Sequence, residues 1–464
     1  MRIILSYLLI GISCLCFFPA LVHGQSVLSL KEALAIAEQQ YPSLEAKQMQ
    51  IRSAEQLVKG TMLERLPNFN IGIQQSYGTV NGITGPMSGL EGSVGSSGPT
   101  LTEQNWNAAF GALYVAGINW EFFTFGRNQQ RTRVAKQELV RNRQDFEQAL
   151  FEHKIKVAAA YLNLIASQQI AQSYEKNFLR ADSLRALIIA RVKSGLVAGV
   201  DSTFANAERS NARMLFTNAK NKEREQKNIL TQLIGREDNN FSIVSDFIDH
   251  IPHILKDSLS DISNHPRLNY YRSLIAVGEE QTKLLKTQYF PRVSLLGLFQ
   301  GRGSGFSSTY AVDQSAYSTN YWSGIEPTRA NYLMGISINW NLTTPFRLSK
   351  QIAAQQYAVQ AVQQEYKEAE LSMKTQLRIS DDRLDASMLN YHEAPIQVAA
   401  AREAFIQKSV LYKNGLTNMV EVMQVANTLI RAETDRDIAN NNVWQALLLQ
   451  AASKGDFSLF ENQL

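Results

Sequence analysis

From Gly126 to Lys193 the chain runs without proline, and the next glycine is Gly195. A helix of roughly 67 residues spans about 100 Å at 1.5 Å per residue, several times the ordinary length. Leu150, Val157, Leu164, Ala171 and Phe178 recur every seven positions. Ala160, Ser167, Tyr174 and Ala181 form a second series three residues on. This is a coiled-coil seam with one bulky and one small edge. A second copy follows 220 positions later. Leu377, Leu384, Tyr391 and Val398 continue the first series, and Ser380, Ser387, Ala394 and Ala401 the second. Pro395 predicts a kink or a local break in this second helix.

The duplication extends beyond the helices. Tyr41-Pro42-x-Leu44 returns as His265-Pro266-x-Leu268, and Leu66-Pro67 as Phe290-Pro291, both at an offset of 224. Ile118-Asn119-Trp120 returns as Ile338-Asn339-Trp340, Gly195-Leu196 as Gly415-Leu416, and Val200-Asp201 as Val420-Glu421, all at 220. One unit of about 200 residues is therefore used twice, too long for a solenoid repeat. The expected division is a signal peptide over 1–24, a first repeat over 25–237, a linker over 238–262 and a second repeat over 263–464. Each repeat reads helix, strand, loop, strand, long helix, turn, helix.

Residues 28–65 read as helix, with Ser29 and Glu32 forming a capping box, Pro42 interrupting and Pro67 ending it. The period then changes to two. Phe69, Ile71, Ile73 and Tyr77 point one way, and Asn68, Asn70, Gln74 and Ser76 the other. Residues 78–105 read as a long loop. In the returning strand Phe110, Ala112, Tyr114, Ala116, Ile118, Trp120 and Phe122 share a face. The second repeat matches this. Val293, Leu295 and Phe299 share a face, residues 301–330 read as a loop, and Tyr332, Met334, Ile336, Ile338, Trp340 and Leu342 share a face. Strands of ten to twelve residues with one apolar face fit a transmembrane barrel. Trp120 and Trp340, at matched ends, are expected in the aromatic belt of a membrane interface with outer-membrane lipids. A soluble β-sandwich is the competing reading of the strands alone.

Composition narrows the classes. Hydrophobic residues make up 45% and charged residues 19%, which is not a disordered composition. The net charge of +4 is too small to argue for nucleic acid. Mean hydropathy is −0.20, and beyond residue 24 no apolar run approaches a membrane helix. Arg2, the apolar stretch to Leu21 and the site before Gln25 read as a cleaved export signal. Both cysteines, Cys14 and Cys16, fall inside it, so the mature chain is expected to lack disulfides. The residues before Cys14 fit a lipidation signal poorly.

Four strands cannot close a membrane barrel, and an open edge in lipid leaves backbone groups unpaired. The barrel must be shared between copies. Two chains give eight strands and three give twelve, and counting does not choose between them.

The marks Tyr412-Lys413-x-Gly415-Leu416 with Val420-Glu421, and Gly195-Leu196 with Val200-Asp201, place an acid six positions after each glycine. With the duplicated unit around them, they make the chain resemble the TolC family of outer-membrane efflux proteins over nearly all of its mature length. The resemblance implies a mixed α/β membrane protein. It would be a homotrimer with a 12-stranded β-barrel, four strands per chain, continuous with a long α-helical coiled-coil periplasmic tunnel. It implies an outer-membrane location in a Gram-negative bacterium. The implied function is the exit duct of a tripartite efflux or type I secretion system, conducting solutes passively from a periplasmic adaptor (membrane fusion) protein and an inner-membrane pump of RND, ABC or MFS type. The turns at Gly195, Leu196, Gly415 and Leu416 would hold the adaptor-docking tips. Tyr412 would help lock a periplasmic gate, with Thr417 and Gln424 standing where some relatives use arginine and aspartate.

In such a trimer Asp201 and Glu421 would each appear three times around a narrowing bore. They would repel, favour cations and raise one another's pKa. Alternatively, they simply favour the N-termini of the returning helices.

Motifs of catalysis are sparse, so no enzyme, cofactor or metal site is expected. His250-x-x-His253 lacks a third ligand. Gly301-x-Gly303-x-Gly305 lacks the lysine and helix start of a phosphate loop. Asp381 and Asp382 diverge by about 100° on a helix. Arg127, Arg131, Arg133, Lys136, Arg141 and Arg143 read as a solvated face in preference to a lipid-phosphate patch. A structural periplasmic coiled-coil or adhesion protein is the alternative function, which paired amphipathic strands of equal length argue against.

Overall fold

The computed structural model describes residues 26–82, 100–250, 252 and 262–464. The expected signal segment, both cysteines, much of the first long loop and His253 lie outside the described residues. In chain order the elements are β1 (Ser26–Leu28), α1 (Leu30–Gln40), α2 (Pro42–Leu63), β2 (Asn68–Thr79), β3 (Ala108–Phe123), α3 (Arg127–Lys193), α4 (Gly199–Leu233), β4 (Phe241–Ile243), α5 (Pro266–Lys286), β5 (Arg292–Ser304), α6 (Tyr321–Ile325), β6 (Arg329–Asn339), α7 (Thr344–Lys413), α8 (Met419–Lys454) and α9 (Ser458–Glu461). No described helix is long and apolar enough to cross a membrane.

Two compact units emerge, and each draws on both sequence repeats. The first comprises the described parts of residues 1–50, 143–272 and 365–464, the second residues 51–142 and 273–364.

The first unit is helical around an apolar core. Val157, Leu164 and Leu230 are fully buried there with Tyr161, Trp444 and Phe460. Ser29 begins α1 with a reciprocal cap. Its Oγ accepts from the Glu32 amide at 3.2 Å, and Glu32 Oε2 accepts from the Ser29 amide at 2.9 Å. Pro42 separates α1 from α2, as its missing N–H dictates. Leu28, expected inside the helix, instead ends β1. The expected linker also contains structure, because β4 pairs parallel with β1, Leu28 opposite Ile243. The Tyr161 hydroxyl ties this pair down, its one proton shared between the Leu28 and Val244 carbonyls at 2.8 and 2.9 Å. Three-residue strands are too short to show a period.

The second long helix is not broken at Pro395, since α7 runs unbroken through it. Proline removes the one N–H that would reach the Tyr391 carbonyl. Ala394 and Val398 on either side are buried, and Val398 packs with Ala401, Leu429 and Ala432. That packing holds the helix across the lost bond.

The second unit contains an antiparallel sheet in the order β2-β3-β5-β6. Its register makes the alternation of four strands into a single surface. Ile71 lies opposite Ala116, which lies opposite Phe299, which lies opposite Tyr332. Phe69, Ile118, Gly297 and Met334 make the next row. The other face carries Asn68, Asn119, Gln300 and Asn331, interrupted by Leu113, Val115, Leu298 and Leu333. Hydrophobic side chains of the first face stand open along both edges, with Ile71 73% and Met334 75% exposed. The segment from Gly305 to Thr328, expected as plain loop, contains α6 and a bridge between Phe306 and Tyr317.

Candidate functional site

Both long helices of the first unit end in the same device. Gly195 and Gly415 take φ of 72° and 74°, the left-handed region where glycine meets no steric cost. The Leu196 amide donates to the Arg191 carbonyl and the Leu416 amide to the Leu411 carbonyl, each at 2.9 Å. Gly195 and Gly415 donate to the Val192 and Tyr412 carbonyls at 3.0 and 3.1 Å. These are two Schellman endings with identical bonding. Leu196 and Leu416, expected at the tips, are both strongly exposed.

The returning helices then differ. α8 is capped by Asn418, whose Oδ1 accepts from the Glu421 amide at 3.0 Å. α4 follows Ala198, which has no capping side chain. Asp201 and Glu421 occupy the same third helical position, yet each is engaged by a different partner. Asp201 Oδ2 accepts from the Tyr412 hydroxyl at 2.9 Å. Glu421 Oε2 accepts from Lys408 Nζ at 2.5 Å and from Thr417 Oγ1 at 2.8 Å. Lys408 and Tyr412 are one turn apart on α7, so one face of that helix serves both acids.

Within one chain, Glu421 answers to its own neighbours, and Asp201 is not among the causes of its shift. The Lys408 ammonium and then the Thr417 hydroxyl hold its carboxyl below the ordinary value. Tyr412 is 3% exposed, packed with Ile188, Ala205, Met419 and Val422. Burial first, and the bond to Asp201 second, push its phenol up to about 12.

Two residues of this constellation were missed by sequence reasoning. Arg191 reaches across from α3, donating to the Tyr412 and Lys413 carbonyls at 3.1 and 2.7 Å. A guanidinium there meets the last carbonyls and the negative dipole end of α7. Lys408 was the other. The repeat comparison could have exposed both, because their counterparts are Leu411 and Ile188. Polar residues present in only one copy mark where the copies contact each other differently.

In the second unit the matched tryptophans make matched bonds. Trp120 Nε1 donates to the Arg65 carbonyl at 2.9 Å, and Trp340 Nε1 to the Tyr289 carbonyl at 3.2 Å. Each acceptor stands two residues before a proline, Pro67 or Pro291. Both indoles remain substantially exposed. At the start of α3, Arg127 is buried and Arg131 pairs with Glu64 at 3.3 Å, while Arg131, Arg133 and Lys136 lie exposed. Among the described residues no group of three His, Cys, Asp or Glu is placed to hold a metal ion.

Residues 33–236 match the outer membrane efflux protein family. Solved structures extend the likeness over the chain. OprN, an outer-membrane channel, matches at TM-score 0.72 and 15% identity, covering 92% of this chain and 89% of its own. VceC, an outer membrane protein of Vibrio cholerae, matches at 0.71 and 16%, covering 92% and 96%. CusC, solved in conformations that accompany folding and transmembrane channel formation, matches at 0.75 and 12%, covering 94% and 96%. No curated protein matches the chain by sequence.

Proposed function

We propose, from the premise that residues 33–236 belong to the outer membrane efflux protein family and that the chain folds as such channels do, that this protein is a passive outer-membrane exit duct. Three copies close a twelve-stranded barrel, and their long helices line a periplasmic passage. The duct receives solutes from a periplasmic adaptor and an inner-membrane pump, in efflux or in type I secretion. The turns at Gly195-Leu196 and Gly415-Leu416 meet the adaptor. Asp201, Glu421 and Tyr412 form the periplasmic gate. Trp120 and Trp340 sit at the membrane interface.

The carrying observation is the open sheet. Its edges, β2 and β6, are separated by three antiparallel pairings and therefore run antiparallel to one another. Rotated copies can then pair β6 with the next β2 in the same sense throughout, a head-to-tail closure that forms a ring. The apolar face so closed supplies the lipid-contacting wall. A structural periplasmic protein gives no account of an apolar surface of this extent facing water.

The test is the mass of the detergent-solubilised protein by light scattering with the detergent contribution subtracted. The expected species is three times the chain mass. A stable folded monomer overturns the shared barrel.

A further inference from the structure

The segment that joins β5 to β6 folds back over the apolar face of the sheet. Asn320 starts α6, its Oδ1 accepting from the Trp322 amide at 2.8 Å. The Tyr114 hydroxyl, projecting from the apolar face, donates to the Ile325 carbonyl at 3.0 Å. Tyr321 sets its ring edge-on to Phe110 at 5.2 Å and donates to Gln75 Oε1 at 2.9 Å. Gln75 lies opposite Ala112, on that same apolar face. A polar side chain aimed at lipid is thereby satisfied.

Glycines make the close approach possible. A Cβ on Gly303 would stand 2.6 Å from the Glu326 carbonyl oxygen, and one on Gly324 2.5 Å from Phe110 Cβ. Backbone meets sheet with no side chain between, so the segment is a seated flap. Gly324 and Ile325 are buried on its inner side, whereas Trp322 is 73% exposed on its outer side.

The position of this indole along the sheet matters. Phe110, under the flap, and Trp120 lie ten residues apart on β3, about 33 Å along the strand. At a tilt of about 40° this is about 25 Å along the barrel axis, the height of an apolar band between two aromatic girdles. Trp120 and Trp340 supply one girdle. At the other end the strands themselves carry no tryptophan. We infer that the 320–327 flap builds the second girdle, with Trp322 lying among the lipid headgroups of the leaflet remote from Trp120. The inference rests on the membrane-barrel reading. The occupant of the flap's outer surface is lipid, because that surface continues the apolar face that the barrel presents to the bilayer, and an amphipathic indole is suited to its interface.

The test uses the full chain in phosphatidylcholine vesicles containing nitroxide labels at the headgroup or at the bilayer centre. One variant keeps Trp322 alone, with Trp106, Trp120, Trp340 and Trp444 changed to Phe; a second keeps Trp120 alone. Trp322 fluorescence is expected to fall at least twofold more with headgroup label than with centre label. Quenching of Trp322 by aqueous iodide but by no lipid label, with Trp120 quenched by lipid, overturns the flap and leaves the barrel standing. Absence of lipid quenching at both positions overturns the barrel, and the flap with it. If the single-tryptophan chains do not fold, the full chain is compared with Trp322→Phe. A smaller headgroup-quenched fraction is expected in Trp322→Phe, and equal quenching in the two proteins overturns the inference.

Discussion

The Tyr412 hydroxyl joins the last turn of α7 to the first turn of α4 by donating to Asp201 Oδ2 at 2.9 Å. With its phenol pushed up to about 12, Tyr412 remains a donor throughout the physiological range. A hydrogen bond to a charged acceptor contributes about 1.5–3 kcal/mol, roughly tenfold or more in the population of the joined state. Tyr412→Phe keeps the buried ring and removes only this bond. On the gate reading, single-channel recordings should show open times rising by about that factor. Asp201→Ala should do the same, and the double variant should add little, because both delete one interaction. Unchanged gating in all three would falsify the link as a gate element.

Lys408 neutralises Glu421, so charge at this position is adjustable in both directions. Lys408→Met should increase cation selectivity, read from reversal potentials in a salt gradient. Asp201→Ala with Glu421→Ala should lower it sharply and abolish block by multivalent cations. If Glu421 only supports the start of α8, selectivity stays constant in every variant while thermal stability falls.

Glu433 is buried and takes a bidentate bond from Arg180, at 2.6 and 3.0 Å. Arg402 approaches it at 3.6 Å from a far more exposed position. Removing one partner of a buried pair costs about 3–5 kcal/mol, whereas an exposed partner contributes about 0–1. Arg180→Ala should therefore lower the denaturation midpoint much more than Arg402→Ala. Equal effects would mean that Arg402 shares the charge fully.

His265 predicts a pH dependence. Its Nδ1 accepts from the Arg267 amide at 3.1 Å, which leaves Nε2 as the donor to the Ala452 carbonyl at 3.2 Å. The neutral ring is complete, and a second proton has no acceptor at Nδ1. Burial, chiefly, depresses its pKa below the ordinary 6.5, with the Leu233-bonded His153 depressed by burial in the same way. A depressed folded value means the unfolded chain binds more protons. Their contribution is complete above pH 6.5 and is lost as pH falls toward the folded values. Thermal midpoints should drop between pH 7 and pH 5, and His265→Gln should flatten that slope. A slope identical to the unmodified protein's would remove His265 as its source.

Much of the architecture was legible because it is periodic. The seven-residue series located α3 and α7, and the alternation in four strands foretold the shared apolar face that the register then assembled. Gly195 and Gly415 revealed the turns because a positive φ restricts the residue choice. What periodicity cannot carry was lost. β1 and β4 are too short to alternate, and the flap over Phe110 depends on Gly303 and Gly324, which read as loop glycines in isolation. At the turns the acids were visible, but their partners were not. Lys408 and Arg191 are ordinary helix residues until two helices from different parts of the sequence bring them to Glu421 and to the Tyr412 carbonyl. Pro395 shows the converse, a local signal whose expected break is prevented by packing at Val398 and Leu429.

The two open edges of the sheet have a consequence for how the protein reaches its place. A lone copy entering hydrocarbon would strand the outward N–H and C=O groups of β2 and β6 at several kcal/mol apiece. Insertion and association are then one event on the proposed reading, with no stable halfway state in the bilayer. On that reading the newly exported chain stays on the watery side, edges sticky and apolar face bare, until it meets its equals. Such an interval calls for an escort that shields the sheet, and it makes the rate of appearance in the membrane rise more steeply than the rate of synthesis.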